Sequence, residues 1–264
     1  MKIDGRTIVV TGASRGIGKS AAEALARAGG RVALIARSPE IEQVAAAIAG
    51  GQARGYVADL GNAAEVSEVS QRIVKDLGAP DIVVNNAGAG RWLHIEETPP
   101  EEAEAMMAAP YFAAFYVTRA FLPAMLQRGS GTIVNINSPV AWLPWPGAIG
   151  YSAARWAMRG FNEALRMDLR GTGVRVLEIV LGKVTSTYFE HNPHSEERLP
   201  TITRLVPSLT PDQVATHLVR GIERNRRRIV KPFMLRAVLA MRALAPPVVD
   251  WMMWRTGARR PPRT

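Results

Sequence analysis

Short runs of consecutive apolar, mostly β-branched residues alternate along the chain with longer stretches in which apolar positions recur every three or four residues. The runs at 7–11, 31–36, 53–57, 81–85, 131–137 and 175–180 read as strands. The stretches at 19–28, 40–49, 63–77, 101–127 and 151–169 read as helices. Gly29-Gly30 and Gly50-Gly51 supply stop signals for the first two, and Pro110 and Pro123 interrupt the fourth. Strands that are apolar throughout, separated by helices, need cover on both faces. This predicts an α/β fold built on a doubly wound parallel sheet, with ligands at the carboxyl ends of the strands.

Beyond residue 180 the alternation stops. Residues 185–208, rich in proline, histidine and acids, read as a long surface loop with one short helix, of the kind that serves as a lid or binding loop. A helix follows over 211–225, with Thr210 as its N-cap and Pro211 at its first position. Residues 233–245 form an apolar helix carrying Arg236 and Arg242; Pro246-Pro247 ends it, and 248–254 is a second apolar segment with Trp251 and Trp254. The 264 residues divide into one dinucleotide-binding and catalytic domain, 1–225, and a C-terminal extension, 226–264.

The absence of cysteine removes disulfides, thiolate metal sites and thiol nucleophiles. His94, His191, His194 and His217 are scattered and imply no metal. The net charge of +10 is lopsided: residues 220–264 carry 12 Lys and Arg against Glu223 and Asp250, while 1–219 carry 21 of each sign. A basic tail meets anionic lipid, an acidic partner or only solvent. Its first apolar run is too short to span a bilayer, but tryptophan and arginine both favour the membrane interface. The alternative is a helix packed over the substrate site or across a dimer. No motif for reading nucleic acid is present, nor is a signal-peptide pattern. The expectation is a cytoplasmic protein with peripheral membrane contact.

Thr11-Gly-Ala-Ser-Arg-Gly-Ile-Gly18 follows a strand and opens a helix. Gly12 permits the tight turn, Gly16 the approach of a pyrophosphate, and Gly18 close packing of helix on strand. Ser14, Arg15 and Ile17 share this turn, and the helix N-terminus favours an anion. The second strand ends Ala36-Arg37-Ser38, without the acid that would select NAD. Arg37 and Arg15 instead suit a 2′-phosphate and favour NADP over NAD.

This pattern resembles the short-chain dehydrogenase/reductase family in its single-domain form, a Rossmann fold. Asp59-Leu60 looks like the family's adenine-contacting acid, Asn85-Asn86-Ala87-Gly88 like its motif beside the adenosine, and Leu181-Gly182-Lys183-Val184 like its Pro-Gly-x-Val segment at the nicotinamide. Ser138 and Tyr151, thirteen residues apart, match the catalytic serine and tyrosine. The resemblance implies hydride transfer between a nicotinamide and a carbonyl or alcohol carbon, and a homo-dimer or tetramer. The tyrosine exchanges the proton and the serine hydrogen-bonds the same oxygen. The family's lysine, four residues after the tyrosine, binds the nicotinamide ribose. Here that position is Arg155, on the same helix face as Tyr151 and permanently charged. Pro110 stands where the family carries a catalytic asparagine, and Leu181 where it carries proline. Trp142 and Trp145, between Ser138 and Tyr151, suggest a flat apolar, lipid-like or steroid-like substrate. The implied activity is NADP-dependent carbonyl reduction or alcohol oxidation; the alternative is an NADP-binding regulatory or scaffold protein without turnover.

Overall fold

The computed structural model describes residues 1–48, 52–88, 90–190 and 192–260. The Gly50-Gly51 stop signal and His191 lie outside the described residues. Among those described, seven parallel strands form one sheet: β1 (Thr7–Thr11), β2 (Arg31–Ala36), β3 (Ala53–Val57), β4 (Ile82–Asn85), β5 (Gly131–Asn137), β6 (Val174–Leu181) and β7 (Arg228–Lys231). Their spatial order is β3-β2-β1-β4-β5-β6-β7. Helices α1 (Gly16–Arg27), α2 (Glu40–Ala46) and α7 (Pro211–Glu223) cover one face. Helices α3 (Ala63–Leu77), α5 (Ala113–Arg128) and α6 (Ile149–Asp168) cover the other. Strand alternation feeds both cores, with Ile8 and Val10 on the first face and Val9 on the second.

Three features depart from the sequence reading. The first is β7, which lies within the predicted extension and pairs with β6 over Glu178–Leu181. Its apolar content is Ile229 and Val230 alone, between basic neighbours, too short a run to stand out. The second is the helix expected over 101–127. It splits into α4 (Pro100–Met107), a π-helical turn at Ala108–Phe112, and α5. Ala109 is extended at φ −133°, ψ 103°, because the ring of Pro110 excludes the α region from the residue before it. Pro123, by contrast, stays inside α5. The third is the 185–208 loop, which carries two 3-10 turns, Glu196–Arg198 and Thr201–Leu205, rather than one helix. Thr210 caps α7 as expected, its Oγ1 accepting from the Gln213 N–H at 3.2 Å.

Past β7, α8 (Met234–Leu244) packs Leu235 on Val180 and Val230. The next helix, α9 (Pro246–Thr256), packs Val249 and Met253 on Leu143. The tail therefore lies against the edge of the sheet that carries the 138–145 loop.

A polar ladder crosses the centre of this apolar fold. Asn85 donates to Asn135 at 2.7 Å, Asn135 to Asn162 at 2.6 Å, and Asn162 to Glu178 at 3.1 Å. Glu178, fully buried on β6, also accepts from Asn137 at 3.0 Å and from Arg228 Nε at 2.8 Å. A buried carboxylate persists only when its oxygens are satisfied by such donors. Glu178→Ala strands these donors, and we expect it to lower the unfolding free energy by about 3 kcal/mol, the low end for a broken buried pair because Arg228 keeps some solvent. Urea denaturation checks this; a loss below about 1 kcal/mol, that of an ordinary neutral hydrogen bond, counts against it.

Candidate active site

The winding of the sheet reverses between β1 and β4, and a crevice opens there at the carboxyl ends. Gly12 has φ +62°, and a Cβ on it would stand 2.8 Å from the Ala87 Cα. Gly18 touches the carbonyl oxygen of Gly12, leaving no room for a side chain. The turn is braced from β4: Asn86 Nδ2 donates to the carbonyls of Thr11 and Gly12 at 3.0 and 3.1 Å. In return, Thr11 Oγ1 accepts from the Asn86 and Ala87 N–H groups at 2.9 and 3.0 Å. Helix α1 starts at Gly16 with no side-chain cap from Arg15. Its first-turn N–H groups are therefore left to an anion.

A cavity of about 1070 Å³ runs through the crevice. At one end lie Arg37, Ser38, Asp59 and Leu60; the middle is lined by Gly12, Ser14, Arg15, Gly16, Ile17, Asn86, Ala87 and Gly88. At the other end lie Ser138, Tyr151, Arg155, Gly182 and Val184. Every catalytic or cofactor-binding candidate named from the sequence lines this one cavity except Gly18, which sits beneath the turn. Of the two tryptophans expected at the substrate, Trp145 lines it and Trp142 does not, its ring being taken by the Arg159 and Arg228 guanidiniums at 5.0 and 5.2 Å. Asp59 is partly committed, its Oδ1 accepting from the Gly61 N–H at 2.9 Å.

Tyr151 and Arg155 lie one turn apart on α6. The Arg155 guanidinium carbon sits 5.0 Å from the centre of the Tyr151 ring. Arg155 is only 7% exposed, and one of its terminal nitrogens donates to the Ile136 carbonyl at 3.1 Å. The other would stand 2.7 Å from a Cβ on Gly88, so a side chain there would make the guanidinium shift. Asn137 ties this region to the sheet, donating to the Arg155 carbonyl at 3.5 Å and to Glu178. Ser138 follows directly, its N–H donating to Asn137 Oδ1 at 2.9 Å and its Oγ accepting from the Val140 N–H at 3.4 Å. At the α4–α5 break, Ala108 and Ala109 face the cavity and bring no side-chain amide.

Sequence reasoning missed Tyr188. Its hydroxyl donates to the Gly90 carbonyl at 2.9 Å, and its ring centre lies 6.4 Å from that of Tyr151. Burial first, then the neighbouring Tyr151, pushes its pKa well above the usual phenol value, against the pull of Arg155, so it stays protonated. Asn192 Oδ1 accepts from the Gly90 N–H at 3.2 Å, and Ser195 Oγ from the Trp92 N–H at 3.0 Å. Together these bonds clasp the loop onto the segment after β4. Trp92 packs on Tyr151 at 5.5 Å and on Trp145 and Phe189 at 5.7 and 5.9 Å. The signal available in the sequence was the aromatic pair Tyr188-Phe189 inside an otherwise polar loop.

The model of the short chain dehydrogenase family matches residues 6–197. The chain belongs to this family. It is thus an oxidoreductase of the short-chain dehydrogenase type. The rat protein 17-beta-hydroxysteroid dehydrogenase 13 is 33% identical to it over 236 residues, 87% of this chain and 76% of the rat protein. D-threitol dehydrogenase of Mycolicibacterium smegmatis is 30% identical over 83% of this chain and 86% of its own. A short chain dehydrogenase from Burkholderia cenocepacia, solved in complex with NADP, superposes with a TM-score of 0.80 at 25% identity, over 96% of this chain and 99% of that one.

The clasp of this short-chain dehydrogenase is open to test. Asn192→Ala removes both the acceptor for Gly90 and the 2.7 Å bond from Asn192 Nδ2 to the Tyr188 carbonyl. We expect proteolytic cleavage within 185–208 to accelerate several-fold, as for a segment that opens locally. An unchanged cleavage rate would show that the loop is held by its aromatic contacts instead.

Proposed function

We propose that this short-chain dehydrogenase reduces a carbonyl, or oxidises the corresponding alcohol, of an apolar small molecule using NADP(H). The observation that carries the reading is the meeting, in one cavity, of Tyr151 with Ser138 and with a buried permanent cation, Arg155, whose guanidinium lies over the Tyr151 ring. Bound NADPH supplies the hydride to the carbonyl carbon. Tyr151 gives its proton to the carbonyl oxygen while Ser138 hydrogen-bonds that oxygen, and Arg155 favours the negative charge left on the phenol. Arg155 also offers donors to the nicotinamide ribose, beside Gly182 and Val184.

The cradle fits a dinucleotide. A Cβ at Gly12 or Gly18 would run into the backbone of Ala87 or Gly12 and distort the turn, and the uncapped start of α1 suits the pyrophosphate. Asp59 and Leu60 flank the adenine end. Arg37 at that end and Arg15 on the glycine turn, with no acid at residue 36, favour NADP over NAD. The NADP complex of the Burkholderia neighbour supports the same choice. Substrate class follows from the far wall, where Trp92, Trp145, Phe189, Leu199 and Val206 present apolar surface to the cavity. This suits a lipid-like or steroid-like molecule better than a polyol.

The reading includes a homo-oligomer. Tyr111, Phe112, Phe115, Tyr116 and Phe161 form one aromatic patch on the π-helical turn, α5 and α6, with Phe112 and Phe115 each 39% exposed. It also places the protein in the cytoplasm, with peripheral membrane contact through the basic tail. A second reading, an NADP-binding regulatory or scaffold protein without turnover, draws on Arg155 in place of lysine and on Pro110 in place of asparagine.

Arg37→Ala is expected to weaken NADP binding about tenfold, the value of one charge-assisted bond, and NAD binding hardly at all. Calorimetric titration of both cofactors decides, and equal losses would dismiss the 2′-phosphate contact. Tyr151→Phe should lower kcat by at least ~100-fold, the usual contribution of a positioned acid, and leave NADP affinity within about twofold. Surviving turnover in that variant would move the chemistry elsewhere. NADPH oxidation with a panel of carbonyl compounds separates the two readings, since a binder without turnover oxidises none. Within the first reading, Arg155→Lys should retain or raise the rate, whereas a loss marks a pocket rebuilt around the guanidinium.

A further inference from the structure

Helix α8 is apolar on both sides. One stripe, Leu235, Val238 and Leu239, packs inward. The opposite stripe, Phe233, Ala237, Met241 and Leu244, faces outward, with Phe233 70% and Leu244 86% exposed. Helix α9 repeats the arrangement. Val248, Trp251 and Trp254 recur every three residues and are 54%, 62% and 70% exposed, while Val249 and Met253 are buried. A helix that is apolar all round belongs in an interior, and a contiguous exposed face of large apolar side chains marks a surface that meets something.

Charge selects the cover. Arg242 is paired with Asp250 at 3.1 Å. Arg236, Arg255 and Arg259 form no ion pair among the described residues. Arg255 stands one turn after Trp251, and with Arg259 and Trp254 it lines one outer groove. A second copy docked through a two-fold axis would bring this patch against itself. Like arginines would then meet, with only the already paired Asp250 to offset them. A layer of lipid phosphates offsets them directly, and tryptophan and arginine both suit the headgroup region.

We propose that the α8–α9 pair docks on an anionic phospholipid bilayer. Phe233, Leu244, Trp251 and Trp254 enter the headgroup–acyl boundary, and Arg236, Arg255 and Arg259 meet the phosphates. This deepens the proposed peripheral contact by assigning its surface and its lipid class. It also sets the cleft at the membrane side, because Leu235, on the inner stripe of α8, lines the cavity.

Flotation of the full chain, with NADP present, on phosphatidylcholine vesicles and on mixed phosphatidylcholine–phosphatidylglycerol vesicles tests the proposal. Retention on the mixed vesicles alone is expected, weakening as salt rises, with a blue shift of tryptophan emission. The pairs Trp251→Ala with Trp254→Ala, and Arg255→Gln with Arg259→Gln, should each reduce partitioning, the arginine pair roughly thirtyfold at about 1 kcal/mol for each arginine lost. NADP affinity should stay unchanged in both. Vesicle binding that survives both pairs would overturn this surface while leaving membrane contact standing. No retention on anionic vesicles would overturn both. A dimer that dissociates in the tryptophan pair, seen by light scattering without lipid, would assign the face to a second copy instead.

Discussion

The Glu178 carboxylate, with no exposure to solvent, is the constraint on which the site depends. Its four partners come from three elements: Asn137 from β5, Asn162 and Arg166 from α6, and Arg228 from β7. Asn137 immediately precedes Ser138, and α6 carries Tyr151 and Arg155. Apolar packing alone is non-directional and leaves a helix free to settle over a range of offsets on a sheet. Hydrogen bonds to one fixed carboxylate are directional, and leaving any of these buried groups unpaired is costly. The serine and the tyrosine, on different elements, are thereby referred to a common point.

Around Arg155 the same logic works at closer range. A guanidinium is wider than an ammonium, and the space for it comes from Gly88, where no side chain competes. The Ile136 carbonyl and the Tyr151 ring face hold it in place. The cation is thus desolvated beside the phenol rather than dangling in the cleft. A charge acts more strongly on its neighbours when water is excluded. Exchange of lysine for arginine here therefore keeps the sign and the location of the charge.

Much of the fold was legible because its central strands are buried on both faces and so read as near-continuous apolar runs; β1, β2 and β5 match the sequence reading residue for residue, as does β3 at the partly exposed edge. The shared cavity was legible too, since glycine turns and short spaced motifs are local. What escaped depends on distant partners. Strand β7 exists because β6 offers an edge to Ile229 and Val230, and its own four residues announce little. The break at Ala109 was half visible, in that Pro110 signals a kink but not which residue turns out. Tyr188 acquires its place only when the carbonyl of Gly90, 98 residues earlier, accepts from its hydroxyl. The inward and outward stripes of α8 look alike in the sequence, and only the packing separates them.

Gly182 has no side chain, and the space a Cβ would need is taken by Pro232 and Leu235, at 3.1 and 3.2 Å. The wall of the cleft at this point is thus made by the tail. Chains are synthesised from the N-terminus, and domains begin to fold as they emerge. The glycine turn, the tyrosine and the arginine have all been synthesised while the ribosome still holds residues 228–256. The enclosure, and the Arg228 bond to Glu178, must wait for those residues, so the reactive groups are made before they can be sheltered from water.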